Sequence, residues 1–304
     1  MPDIVERPPR TAPPTTASAG ARDAAPRLRT RALRLGYGAQ VVVPRLDLDI
    51  VDGSVTAIVG PNGCGKSTLL RALGRLLRPT AGEVLLDGQR IQQLPTREVA
   101  RRLGILPQSP SAPDGLTVAD LVMRGRQPHQ SWLRQWSRAD EQVVTQALAW
   151  TGLTELATHP VDTLSGGQRQ RAWISMALAQ GTDILLLDEP TTYLDLAHQI
   201  DVLELVDRLH REHGRTVVMV LHDLNLAARY ARQLIAMKDG EVLAGGPPAQ
   251  VLTPELVEQV FGLRVMVIED PASGTPLVVP LAGSAARAST IEKKSIPMIR
   301  AVTG

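Results

Sequence analysis

The chain has 304 residues, 43% of them apolar and only 3% aromatic, so it can bury a sizeable core that must be mostly aliphatic. A net charge of +2 gives no reason to expect a polyanionic partner, no run approaches the ~20 apolar residues of a membrane span, and a single cysteine, Cys64, excludes an intrachain disulfide and favours an intracellular setting. Charge is uneven: residues 1–34 hold seven arginines against three acidic residues, and residues 281–304 hold four basic residues against one.

Residues 1–28 are rich in Pro, Ala, Thr and Arg without apolar periodicity and read as disordered. They begin without an apolar signal core. Residues 281–304 read as a second flexible tail, and both basic ends are expected to be solvated rather than bound to lipid. Between them, residues 29–280 read as one domain. Arg31–Leu35, Gln40–Ile50 and Ser54–Val59 have strand character. Lys66–Leu77 reads as a helix with Leu69, Leu70, Leu73, Leu76 and Leu77 on one face. Glu83–Leu86 and Leu103–Leu106 are short strand candidates. From about 109 to 165 polar helical stretches take over, among them an amphipathic helix over Asp140–Thr151, and this segment reads as an insert. Alternation then resumes with strand Ile184–Leu187, helix Leu196–His210, strand Thr216–Leu221, helix Leu224–Arg232 and strand Gln233–Met237. Such alternation predicts an α/β fold with a largely parallel sheet.

Three strings carry chemistry. Gly60-Pro61-Asn62-Gly63-Cys64-Gly65-Lys66-Ser67-Thr68 follows a predicted strand and opens a predicted helix, the context a phosphate-binding loop requires. Its glycines let backbone N–H groups face phosphate oxygens at a helix N-terminus. Lys66 brings a full charge to the β- and γ-phosphates, Ser67 a hydroxyl for Mg²⁺, and Thr68 support for the phosphate shell. The second string, Ile184–Leu187 followed by Asp188, Glu189 and Pro190, delivers two carboxylates at the C-terminal end of a buried strand, where ligands bind in open parallel sheets. Asp188 is placed to hold Mg²⁺ and Glu189 to polarise an attacking water. The third, Leu164-Ser165-Gly166-Gly167-Gln168, opens a helix whose free N–H groups offer a second anion site. Cys64 lies inside the first loop, so its alkylation is expected to slow when nucleotide is bound.

Together these strings resemble the nucleotide-binding subunit of an ABC transporter over roughly residues 29–270. The resemblance implies a P-loop NTPase with a RecA-like core, an antiparallel β subdomain and the inserted α-helical subdomain. It also implies that ATP is hydrolysed with Mg²⁺, with further roles for named residues. Tyr37 is similar to the aromatic that stacks on adenine. Gln108 resembles the hinge glutamine that senses the metal or water. Asp195 resembles the loop acid that crosses a dimer interface, and His222 the switch histidine on the γ-phosphate. Two copies are implied to meet head to tail, Ser165, Gly166, Gly167 and Gln168 of one covering ATP at Lys66 of the other. Two integral-membrane permease subunits and, indirectly, an extracytoplasmic binding protein are the implied partners, at the cytoplasmic face of the membrane.

Gly125-Arg126-Gln127-Pro128-His129-Gln130, Leu187–Asp195 and Asp270–Pro276 narrow the resemblance to iron–siderophore importers of the ferric-enterobactin and ferric-citrate kind. Cobalamin and haem importers, which share the fold and motifs, are the alternative. A soluble ATPase acting on nucleic acid fits poorly. The gap between the loop and the signature is too short for a coiled coil, one chain holds one motif set, and no central basic patch with interleaved aromatics is present. Trp132 and Trp136 admit two readings, packing within the insert or the lip of a groove for a permease helix.

Overall fold

The computed structural model describes residues 26–130, 136–192 and 194–281. The antiparallel pair β1 (Leu28–Tyr37) and β2 (Gln40–Asp49) is followed by β3 (Val55–Val59) and α1 (Lys66–Leu73). Next come β4 (Ala81–Leu86), β5 (Gln89–Arg90), α2 (Thr96–Arg102) and β6 (Leu103–Leu106). Helices α3 (Val118–Arg124) and α4 (Arg138–Trp150) lie in the expected insert, and α5 (Gly166–Ala179) leads back to the core. There β7 (Ile184–Leu187), α6 (Leu196–His213), β8 (Thr216–Val220), α7 (Leu224–Tyr230), β9 (Gln233–Lys238) and β10 (Glu241–Gly246) alternate. The described chain ends with α8 (Pro248–Val251), α9 (Pro254–Phe261) and a hairpin of β11 (Val265–Glu269) and β12 (Pro276–Pro280).

The central sheet runs β10-β9-β3-β8-β7-β6, parallel except for β10 at its edge, and a four-stranded antiparallel sheet runs β2-β1-β4-β5. Strands β3, β7 and β8 are buried along their whole length, as expected of a parallel sheet covered on both faces. Their side chains divide by the two-residue period of a strand. Leu185, Leu187, Val217 and Met219 join the apolar cluster that includes α5, α6 and the insert. Ile184, Leu186, Val218 and Val220 join the cluster built on α1 and the antiparallel sheet. Among the described residues, no helix is long and apolar enough to cross a membrane.

Three expectations change. Leu28, assigned to a disordered segment, is fully buried in β1, and the neighbouring Arg27 pairs with Asp87 at 2.6 Å and Asp183 at 3.0 Å. Residues 1–25 and 282–304 lie outside the described residues. The helix read over Lys66–Leu77 stops at Leu73. Arg75 takes a left-handed φ of 63°, its N–H bonds Ala72 O at 3.0 Å and that of Leu76 bonds Arg71 O at 2.8 Å, the paired bonds of a Schellman terminus. Leu76 is therefore turned outward and is 60% exposed. Residues 239–280, read without elements, hold β10, α8, α9 and the terminal hairpin.

The stretch Gly125–His129 fastens the insert to the core. A Cβ at Gly125 would stand 2.2 Å from Met176 O, so only glycine lets α3 end against α5. Arg126 Nε donates to Asp140 Oδ1 and its Nη1 to Ala179 O, both at 2.8 Å. Arg97 and Arg101 both donate to Pro128 O at 2.8 Å, and His129 Nε2 donates to Gln180 O at 2.7 Å. Asp140 also completes the capping box of α4 with Ser137. Burial would raise its carboxyl pKa, but the Ser137 hydroxyl and the Arg126 guanidinium outweigh that and hold it below the usual range. A depressed pKa contributes stability at neutral pH and loses it as pH falls through the folded value. Arg126→Leu is expected to cost about 1–3 kcal/mol at pH 7, because it leaves the Asp140 carboxylate with the Ser137 bonds alone. Thermal melts should show that deficit shrinking below about pH 4 as Asp140 protonates.

Candidate active site

The site forms where the parallel strands end. Val55–Val59 leads straight into the phosphate loop, and Gly60 there lies against Met237, whose carbonyl would be 2.2 Å from an added Cβ. Gly65 is the N-cap of α1 and takes a φ of 104°. It has no side chain to satisfy the first amides of the helix, whereas Thr117, Ser137, Ser165, Asp195, Asp223 and Thr253 cap α3, α4, α5, α6, α7 and α9. The opening amides of α1 stay free for an anion. Lys66, only 5% exposed, meanwhile donates from Nζ to Gly60 O at 2.8 Å and Pro61 O at 2.9 Å.

A cavity of about 570 Å³ opens over this loop. Tyr37, Asn62, Gly63, Gly65, Lys66, Ser67, Thr68, Gln108, Glu189 and His222 line it, so these predicted residues come together. Gln40, Val42 and Thr192 also line it and were not anticipated. Gln40 and Val42 carry no motif. Thr192 sits three residues beyond Glu189 in the acidic string, and that spacing was its available signal.

The carboxylates differ in environment. Asp188 Oδ1 accepts from Ser67 Oγ at 2.7 Å, while its buried Oδ2 has no hydrogen-bond partner and the nearest guanidinium nitrogen, Arg71 Nε, is 4.0 Å away. Burial pushes this carboxyl pKa up, ahead of the opposing Ser67 hydrogen bond. A hydroxyl beside an orphaned carboxylate oxygen is the hard-oxygen donor set that Mg²⁺ prefers. Glu189 has a left-handed φ of 52°, a strained backbone for a non-glycine residue. Its carboxylate accepts from Gln108 Nε2 at 2.5 Å and Thr192 Oγ1 at 3.0 Å, and His222 Nε2 stands 2.7 Å from its Oε1. Gln108 thus engages Glu189 in this structure.

The remaining predicted residues lie apart. Ser165 Oγ accepts from Gln168 N at 3.3 Å and Ser165 N donates to Gln168 Oε1 at 3.0 Å, closing a capping box at the start of α5. That box spends neither the Gly166 nor the Gly167 amide, and of the two glycines Gly166 is exposed while Gly167 is buried. His198 lies over Gly167, where an added Cβ would be 2.4 Å from its Cδ2, and its Nδ1 pairs with Asp195 Oδ1 at 2.6 Å. The Ser165 helix start and the Asp195 loop are therefore one constellation, joined by a histidine the sequence reading passed over. Trp136 is 43% exposed, while Trp132 lies outside the described residues.

Cys64 corrects an expectation. Its Sγ packs in the aliphatic core under the loop rather than in the cavity, and the residue is 4% exposed. Burial raises the thiol pKa against the opposing charge of Lys66, which lowers the reactive thiolate fraction. Alkylation by iodoacetamide should be slow at pH 8 and limited by opening of the loop, so that any effect of ATP comes through that opening and not through contact with the thiol. For Asp188, a raised carboxyl pKa means that its stability contribution is present in acid and lost as pH rises through the folded value. Asp188→Asn should therefore melt a few degrees higher than the intact, nucleotide-free chain at pH 8. In equilibrium titrations, ATP binding by this variant should no longer tighten when Mg²⁺ is added.

The family model described as ABC transporter matches residues 43–192. The ferric enterobactin transport ATP-binding protein of Escherichia coli strain K12 is 57% identical over 259 residues, spanning 85% of this chain and 96% of the relative. The petrobactin import ATP-binding protein of Bacillus anthracis is 55% identical over 253 residues, spanning 83% and 93%. Among solved structures, a dimeric ATP-binding cassette in a post-hydrolysis state with ADP and Pi superimposes with a TM-score of 0.64 at 30% identity, over 73% of this chain and 98% of that one. Phosphate loop, paired carboxylates and fold agree with these relatives over most of the chain, which belongs to the ABC transporter family as an ATP-binding, ATP-hydrolysing subunit.

Proposed function

We propose that this chain is the ATPase of an importer for ferric siderophores and that it works as a head-to-tail homodimer on two membrane permease subunits, at the cytoplasmic face. The observation that carries the catalytic part is the Glu189 carboxylate, held over the phosphate cavity by Gln108, Thr192 and His222. The siderophore assignment draws on the relatives and on the stretches Gly125–Gln130 and Asp270–Pro276.

In this reading Tyr37 stacks on adenine, and the amides of residues 60–68 receive the phosphates. Lys66 exchanges the carbonyls of Gly60 and Pro61 for β- and γ-phosphate oxygens. Ser67 and Asp188 would hold Mg²⁺, with Gln108 as a further contact, and the ion would supply charge neutralisation at the phosphates. Glu189 orients and polarises the water that attacks the γ-phosphorus. His222 then turns from the Glu189 carboxylate to the γ-phosphate. Ser165, Gly166, Gly167 and Gln168 of the partner subunit close the site with the amides of a helix start, and Asp195 lies beside them at the interface. Donors from the second copy supply stabilisation that a P-loop alone lacks. Closure of the dimer around ATP moves the docked permeases, and hydrolysis reopens it. Cargo is delivered to the permeases by an extracytoplasmic binding protein.

Glu189→Gln is expected to keep ATP binding, reduce turnover by at least about 100-fold and accumulate dimers with ATP on size exclusion. Unchanged turnover would remove Glu189 from its role. For cargo, radio-iron uptake from a siderophore panel, with labelled cobalamin and haem alongside, should be compared in a deletion strain restored with the intact chain or with Lys66→Ala. Only the intact chain is expected to restore uptake of one ferric siderophore. Restoration of cobalamin or haem uptake alone would move the assignment to those importers.

A further inference from the structure

The terminal hairpin, whose turn is the stretch Asp270–Thr275, has no part in the chemistry above. It docks on α7, the helix that begins two residues after His222. Asn225 makes the joint in the manner of a neighbouring strand. Its Oδ1 accepts from Val278 N at 2.7 Å and its Nδ2 donates to Val278 O at 3.3 Å. Arg229, one turn further along α7, lies 3.9 Å from Asp270 Oδ2 in the hairpin turn. That turn is itself closed by Asp270 N to Thr275 O at 2.8 Å and by Ser273 Oγ to Asp270 Oδ2 at 2.6 Å. The hairpin therefore holds α7 at two points.

His222 needs such support. Its side chain is 43% exposed, and its Nε2 stands 2.7 Å from Glu189 Oε1. Its direction is set by the backbone on either side. β8 before it is buried and fixed. After it Asp223 caps α7, accepting from Asn225 N at 2.8 Å and Leu226 N at 2.9 Å. Asn225 thus belongs both to the first turn that Asp223 organises and to the hairpin.

We propose that Asn225 is a positioning residue for His222 and that the hairpin Val265–Pro280 is the element that aims the histidine at the phosphate cavity. The inference rests on the reading of His222 as a γ-phosphate contact. With the full chain, Asn225→Ala should lower kcat about tenfold, a transition-state loss of ~1.4 kcal/mol, with KM for ATP unchanged. Asn225→Asp, which keeps the acceptor for Val278 N and loses the donor to Val278 O, should fall between. Thr253→Ala, which removes the cap of α9, is the stability control: it should lower the melting temperature while leaving kcat intact. In the His222→Ala background Asn225→Ala should cost nothing further. Histidine-labelled protein gives a reading independent of turnover, since Asn225→Ala should displace the ring resonance of His222 and spare that of His129.

An unmoved His222 resonance, or a kcat loss that adds fully to that of His222→Ala, would overturn the proposal. If His222→Ala alone kept full turnover, the γ-phosphate reading would fail. The resonance would still decide whether the hairpin aims the ring.

Discussion

Four parallel strands end at one edge of the central sheet, and a functional side chain follows each. Lys66 comes after β3, Gln108 after β6, the Asp188–Glu189 pair after β7 and His222 after β8. Parallel pairing makes this possible, because every strand delivers its C-terminal end to the same side. β7 is paired with both β6 and β8, so Glu189 emerges between the two elements that carry Gln108 and His222. The approach of Gln108 and His222 to its carboxylate follows from strand order and needs no long-range steering of loops.

That arrangement is costly to local stability. Asp188 keeps an oxygen buried without a partner, and its carboxyl is pushed toward the protonated form. Glu189 adopts a backbone conformation that disfavours any residue with a Cβ. Lys66 is folded back on loop carbonyls. On the proposed reading, charge arriving from outside relieves two of these, a cation at Asp188 and phosphates at Lys66. Ligand binding should therefore tighten the strand ends as a unit, which is the behaviour expected of a site preorganised for charge. The core below it, aliphatic and close to fully buried on both faces of the sheet, is what keeps the strained edge in place.

The sequence revealed whatever rested on local chemistry. The loop around Lys66 and the acids after Ile184–Leu187 are contiguous strings whose function follows from backbone geometry, and the strand over Leu103–Leu106 was legible from its apolar run. Leu76 was misplaced because an apolar helical period continues through a turn that Arg75, not a glycine, closes in the left-handed region. Leu28 was hidden because its neighbours are arginines, and what orders them is ion pairing with Asp49, Asp87 and Asp183 from distant parts of the chain. Thr192 and His198 escaped for a different reason. Each acts through one neighbour three positions away, a spacing with meaning only once the loop or helix is known.

The two stretches outside the phosphate site that suggested an importer have a common structural character. Gly125–His129 joins the insert to the core, and Asp270–Thr275 closes a hairpin on the helix after His222. Neither lines the phosphate cavity. One couples the insert to the core, and the other braces the helix that follows His222. On the proposed reading, cargo choice then belongs to the permease and its binding protein, and this chain is matched to them through the stiffness and direction of its moving parts rather than through any contact with iron.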